Sequence, residues 1–237
     1  MRQKIFQQAV THHFPKAKDA KDTSVKYLGM LQNGHEIDIS KVLMATSLCS
    51  DDINVPSTTF FSTLFGPFIM GGLGGLPFAG YTGMVAFSHH IPDNGSGFIF
   101  YGPHIGITDK GVLGKMFRPR QEEPTSSCGA LMGALSHFKQ KDFVPSITAE
   151  DYQQGTLETL LFEFREEILA DENPAKKITE LTYDLIDKQV HEYLQKAKKE
   201  FKVQKVALLG GIIINTEHGM DDYFDVRNFE VLNIQRA

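Results

Sequence analysis

Between Ile53 and Ile91 the chain has no aspartate, glutamate, lysine or arginine. A stretch that long without a formal charge belongs either in a bilayer or inside a protein, and its glycines and prolines decide between the two. A membrane-spanning helix needs roughly 20 mostly apolar residues that close all their own backbone hydrogen bonds. Here Gly66, Gly71, Gly72, Gly74, Gly75, Gly80 and Gly83, with Pro56, Pro67 and Pro77, interrupt every candidate. The run therefore predicts buried loops and short turns, with glycines where one backbone approaches another closely. A phosphate-binding loop is a poor fit, because GGLGG is not followed by the Lys-Ser/Thr of a P-loop.

The flanking segments read as strands and helices. IDISKVLMATSLCS is apolar and short enough for a buried strand ending at Cys49. GFIFYGPHIGI reads as a second buried strand with His104 at its far end, and VQKVALLGGIIIN as a third. DYFDVRNFEVLNI alternates, the pattern of a last, edge strand. Residues 1–35 form a helical N-terminal extension, with Ile5, Phe6 and Val10 on one face and Pro15 as a stop. A helix begins at or just after Cys128, capped by Ser126 or Ser127. An acidic helix runs from Thr148 and Asp151 to about Leu169, and after DENPAKK another ends near Phe201. FSHHIPDNG reads as a turn, and the segment from Gly106 to Ser127 as a hairpin or loop excursion.

Charge excludes some functions. A net charge of −5 and a pI near 6.0 give no general attraction to phosphate backbones or anionic lipid, so nucleic acid and membrane are not expected partners. The lysines from Lys196 to Lys205 are interleaved with Glu200 and preceded by Glu192, the pattern of a solvated helix face. MRQKIFQQAVTHHFPK has no apolar core of a signal peptide, so a cytoplasmic, reducing setting is expected. In such a setting two cysteines are more often free, catalytic or metal-bound than paired.

Those two are Cys49 and Cys128, the only cysteines in the chain. A strand that delivers Cys49, Asp51 and Asp52 to its carboxyl end puts them where open α/β sheets carry their sites. A buried cysteine followed by a helix cap at Asp51 or Asp52 fits the same residues. With two cysteines, a four-cysteine structural site is excluded within one protomer. Two thiolates and one imidazole would cancel the charge of a zinc ion and leave its fourth position open, the pattern of catalytic rather than structural zinc. The intervals from Cys49 to His104 and from His104 to Cys128 match no short zinc-finger pattern. His12 and His13 read as surface or packing residues, and His218, between the last two strands, reads first as an ordinary loop histidine, with reach to a site as the second reading.

The ordered blocks CSDDIN, MGGLGGLPFAGYTG, FSHHIPDNG, YGPHIGI and SSCGAL, from about residue 46 to 133, resemble the limiting-CO2-inducible protein B family, also described as theta-type carbonic anhydrases related to the beta type. The resemblance implies one α/β domain over residues 1–237, with a mostly parallel central sheet flanked by helices. It implies zinc held by Cys49, His104 and Cys128, and reversible hydration of CO2 to bicarbonate. Asp51 matches the aspartate that orients the metal-activated water. Beta-type enzymes write this motif Cys-x-Asp-x-Arg, and here the fifth position is Ile53. No arginine occurs between Arg2 and Arg118, so the partner of Asp51 must be Arg118, Arg120, a more distant basic group or one from a neighbouring protomer. His90, or His89 beside it, is the candidate proton relay, with a structural pair holding the turn as the other reading. A homodimer is expected, as in beta-type relatives. Three other readings remain: a zinc-bearing homologue that binds inorganic carbon or a partner with little turnover, a zinc hydrolase, and a metal-free pair of redox thiols.

Overall fold

The structure is a computed structural model and describes residues 2–54 and 61–234. Pro56, one of the prolines in the uncharged run, lies outside the described residues. The sheet is built on β2 (Val42–Ser47), β4 (Ser96–Tyr101), β5 (His104–Gly106) and β8 (Lys205–Asn215), all parallel, with β3 (Phe65–Ile69) parallel to β2 at one edge. On the other side β9 (Tyr223–Asn233) runs antiparallel to β8 and is followed by the two-residue β1 (Lys18–Asp19). The order is β1-β9-β8-β4-β2-β3, with β5 also paired to β8. This is the mostly parallel α/β sheet expected.

The apolar runs become strands because both faces of this sheet are covered, and the period of two divides them. From β8, Val206, Leu208, Ile212 and Ile214 join one core cluster, while Ala207, Leu209 and Ile213 join the other. The first cluster is roofed by α3 (Gly80–His90), α4 (Gly129–Phe138), α5 (Tyr152–Phe162), α6 (Arg165–Ala170) and α7 (Pro174–Ala197). In α7, Pro174 occupies the first turn, where its missing N–H costs nothing. Ile178, Ile186, Val190 and Leu194 then bury one stripe of its surface. The second cluster is covered by α2 (Ala20–Gly29) and the segment after it, through Tyr27, Leu31 and Ile37. The N-terminal α1 (Arg2–His13) is part of the first cluster, through Phe6 and Val10. Ile5, expected on that face, is exposed instead.

Four local readings are corrected. Residues 80–90 form a helix rather than loops, because Met84 and Phe87 bury against the sheet and packing outweighs the cost of Gly83. Residues 65–69 form an edge strand, where Pro67 is tolerated because one side of an edge needs no N–H donor. The acidic helix is two helices, broken between Phe162 and Arg165. The residue capping α4 is Cys128 itself, not Ser126 or Ser127. Among the described residues no helix is long and apolar enough to cross a membrane.

Candidate metal centre

Cys49 lies two residues beyond the end of β2, at the carboxyl edge of the parallel sheet. His104 reaches the same edge because β4 and β5 follow β8 in a single register, Tyr101 opposite Gly210 and His104 opposite Ile213. The step between them is Gly102, whose φ of +149° favours glycine, and a Cβ there would sit 1.7 Å from the Gly211 carbonyl oxygen. Gly71 does the same service for Cys49. A Cβ on it would fall 2.2 Å from the Leu48 carbonyl oxygen, so the glycine-rich run packs directly on the backbone that presents the cysteine. Cys128 arrives from the third direction, at the start of α4, after the hairpin of β6 (Lys115–Met116) and β7 (Thr125–Ser126).

The ligand-type atoms of Cys49, His104 and Cys128 all lie within 4.8 Å of one another, and all three residues are buried. The two sulfurs are 3.5 Å apart, and both cysteines are free. The hydrogen bond between the two sulfurs holds the Cys49 thiol well below its usual range despite burial. That bond and burial push the Cys128 thiol up, against the weaker pull of the Leu131 and Ala130 amides at the helix start. The pair thus gives up one proton readily and keeps the other, and a divalent cation is what would displace the second. His104 Nε2 is buried with no hydrogen-bond partner. An orphaned imidazole nitrogen beside two sulfurs fits a metal ion.

Around this set stand two further groups. Arg118, just after β6 in the loop that joins it to β7, donates to both carboxylate oxygens of Asp51, at 2.9 Å and 2.8 Å. Its other terminal nitrogen donates to Thr125 Oγ1 at 2.7 Å and the Ser126 carbonyl at 3.1 Å. Burial, the largest single influence, pushes the Asp51 carboxyl up, but the hydrogen bonds from Arg118 and Asp52 and the charges of His104 and Arg118 together outweigh it and leave the group below its usual range. Asp51 Oδ2 lies 3.9 Å from His104 Nε2, so the arginine-held carboxylate faces the orphaned nitrogen. Ile53, in the arginine's place in the beta-type motif, follows Asp51 in a short 3-10 turn. Arg120 is exposed.

The second group was not singled out from the sequence. Asn215, the last residue of β8, has its Oδ1 2.8 Å from His104 Nδ1. Its amide nitrogen donates to Asp222 Oδ2 at 3.2 Å, and burial pushes Asp222 up to about 6. The rule that placed Cys49 at a strand's carboxyl end points equally to Asn215. A cleft of about 320 Å³ is lined by Asp52, Ile53, Arg118, Asn215, His218 and Asp222, among others, so it borders the site. His90 is not part of this assembly. It ends α3, exposed, at the amino-terminal side of β4, with its ring near Phe68, and His89 beside it approaches Glu200 at 3.7 Å. Helix α3 runs back from the site end of the sheet, carrying both histidines away from the sulfurs. The His90 relay is thereby corrected. His13 bonds the Gly111 carbonyl at 3.0 Å, a packing role.

Two thiols and an imidazole converging at the carboxyl edge of a parallel sheet define an α/β protein with a candidate metal centre. The comparisons narrow that class. The chain belongs to the family described as limiting CO2-inducible proteins B/C beta carbonic anhydrases, whose family model matches residues 8–233. The crystal structure of PtLCIB4, a homolog of the limiting CO2-inducible protein LCIB, is similar at 30% identity and a TM-score of 0.89, covering 96% of each chain. That of LCIB itself is similar in fold at 20% identity and a TM-score of 0.68, covering 94% of this chain and 97% of the other. No match was found among curated proteins.

Proposed function

We propose that the protein is a zinc-dependent carbonic anhydrase interconverting CO2 and bicarbonate. The observation that carries this reading is the buried Cys49–His104–Cys128 set with the Asp51 carboxylate, gripped by Arg118, beside it. Zinc, when bound by these three residues, supplies Lewis acidity that makes water a nucleophile near neutral pH. The chain's own groups do the rest. Asp51, with Arg118 fixing its plane, accepts a hydrogen bond from the attacking water and aims its lone pair at the carbon of CO2. Ile53, Met116 and Met220 on the cleft wall provide apolar surface for a substrate without charge. Arg118 supplies the guanidinium that Ile53 lacks, which weakens the case for an inactive homologue.

Stopped-flow CO2 hydration with zinc-loaded and metal-stripped protein tests the reading. A zinc-dependent rate is expected between pH 6.5 and 9, and equal rates would leave only a binding role. Free thiols at the centre accord with a cytoplasmic, reducing setting.

A homodimer is part of the same proposal. Edge strand β3 leaves Phe65 56% and Ile69 71% exposed, with no strand among the described residues paired to its outer edge, and such edges recruit another strand or copy. Sedimentation at micromolar concentration should give a dimer, and Ile69→Asp a monomer. A monomeric wild type would end the dimer reading.

A further inference from the structure

Asp222 and Asn215 constrain His104 more tightly than a packing contact requires. The Asp222 carboxylate takes the Thr216 backbone N–H at 2.9 Å on one oxygen and the Asn215 amide at 3.2 Å on the other. Above pH about 6 the Asp222 carboxyl is ionised and only accepts, so Asn215 must turn its NH2 toward Asp222 and its carbonyl oxygen toward His104. That oxygen also only accepts. His104 Nδ1, 2.8 Å away, must therefore carry the ring proton, which leaves the lone pair on Nε2. Nε2 is the buried atom that has no partner and shares the centre with the two sulfurs.

We infer that Asn215, itself held by Asp222, is a positioning residue that presets the tautomer and ring orientation of His104 for a divalent metal. The inference rests on reading Cys49, His104 and Cys128 as a metal centre. It assigns a role to the carboxyl end of β8 and to the loop before β9. Neither Asn215 nor Asp222 coordinates the ion. Without the pair, His104 is free to place its proton on Nε2, where it blocks coordination.

The test uses cobalt(II) as the probe and nitrogen-15 NMR of the metal-free protein. In the wild type, His104 should show the Nδ1–H tautomer. Asn215→Leu should give a mixed or Nε2–H ring and weaken cobalt binding, read by chelator competition and thiolate-to-cobalt absorption, by about 10- to 100-fold, the usual effect of removing an outer-shell partner. Asn215→Asp should stay within a few-fold of wild type, because a proton shared with Asp222 replaces the amide N–H and an acceptor still faces His104. If Asn215→Leu does not fold, Asp222→Asn takes its place. The Thr216 N–H still claims the oxygen of the new amide, so its NH2 faces Asn215, which must flip and offer its own NH2 to His104, and a loss comparable to that of Asn215→Leu is expected. A folded Asn215→Leu with wild-type tautomer and wild-type affinity overturns the inference. A wild type that binds no cobalt overturns the metal centre instead, and the tautomer of His104 then decides the role of Asn215 by itself.

Discussion

Cys128→Ser should remove essentially all bound zinc and bring CO2 hydration down to the uncatalysed rate. Two thiolates and a neutral imidazole balance the charge of the ion. A serine hydroxyl does not ionise near neutrality, so the variant offers one anionic ligand where two are needed. Cys128 is 0% exposed, so no water-borne ligand replaces its sulfur at no cost. The same substitution should lower the melting temperature of the zinc-loaded protein to that of the chelator-treated wild type, because the ion ties the ends of β2 and β5 to the start of α4 and its binding energy adds to folding. The large core around the sheet should keep the variant folded. Metal analysis after dialysis and melting curves with and without chelator check both parts. Full zinc occupancy in Cys128→Ser would show that the ion, if present, sits elsewhere.

Arg118→Ala separates chemistry from metal binding. Arg118 touches none of the three proposed ligands, so zinc content should stay near that of wild type while turnover falls by roughly 10²-fold or more, the scale for losing one positioned group in a transition state. Asp51→Asn should behave alike, and the double variant should cost little beyond either single one, since the two side chains act as one unit. The pH profile gives an independent reading. Burial raises the Asp51 carboxyl and Arg118, with Asp52 and His104, lowers it, so removing Arg118 takes away the largest opposing influence and moves the carboxyl up. The acid limb of the rate profile should shift to higher pH in Arg118→Ala. Wild-type turnover in that variant would remove the pair from the mechanism, and unchanged turnover in Asp51→Asn alone would leave Asp51 as a loop-capping residue.

Much of the frame was legible without coordinates. The apolar runs VLMATS, GFIFY and VALLGGIII read as strands covered on both faces, because they are short and a parallel sheet with helices on either side requires no polar alternation. The cysteine count ruled out a four-cysteine site, and position at strand ends brought Cys49 and His104 forward. Local pattern failed where a residue's state depends on what packs against it. Gly80 to His90 has the composition of a loop, and it is helical because Met84 and Phe87 have a sheet to bury against. The same helix direction sent His90 to the far end of the strands, a consequence of the crossover from β3 to β4 that no spacing in the sequence encodes.

Side-chain meetings across the chain were the least accessible of all. Asp51 and Arg118 are 67 residues apart, and His104 and Asn215 are 111 apart. The sequence by itself determined the chemical types and which strand ends carry the candidate cysteine and histidine ligands. Only the tertiary structure decided which arginine reaches the aspartate and which face of the imidazole is free, because hydrogen bonds demand placement to within a few tenths of an ångström. That placement comes from the register of β4 and β5 on β8 and from a hairpin folding back over the sheet, both set by packing summed over the whole core.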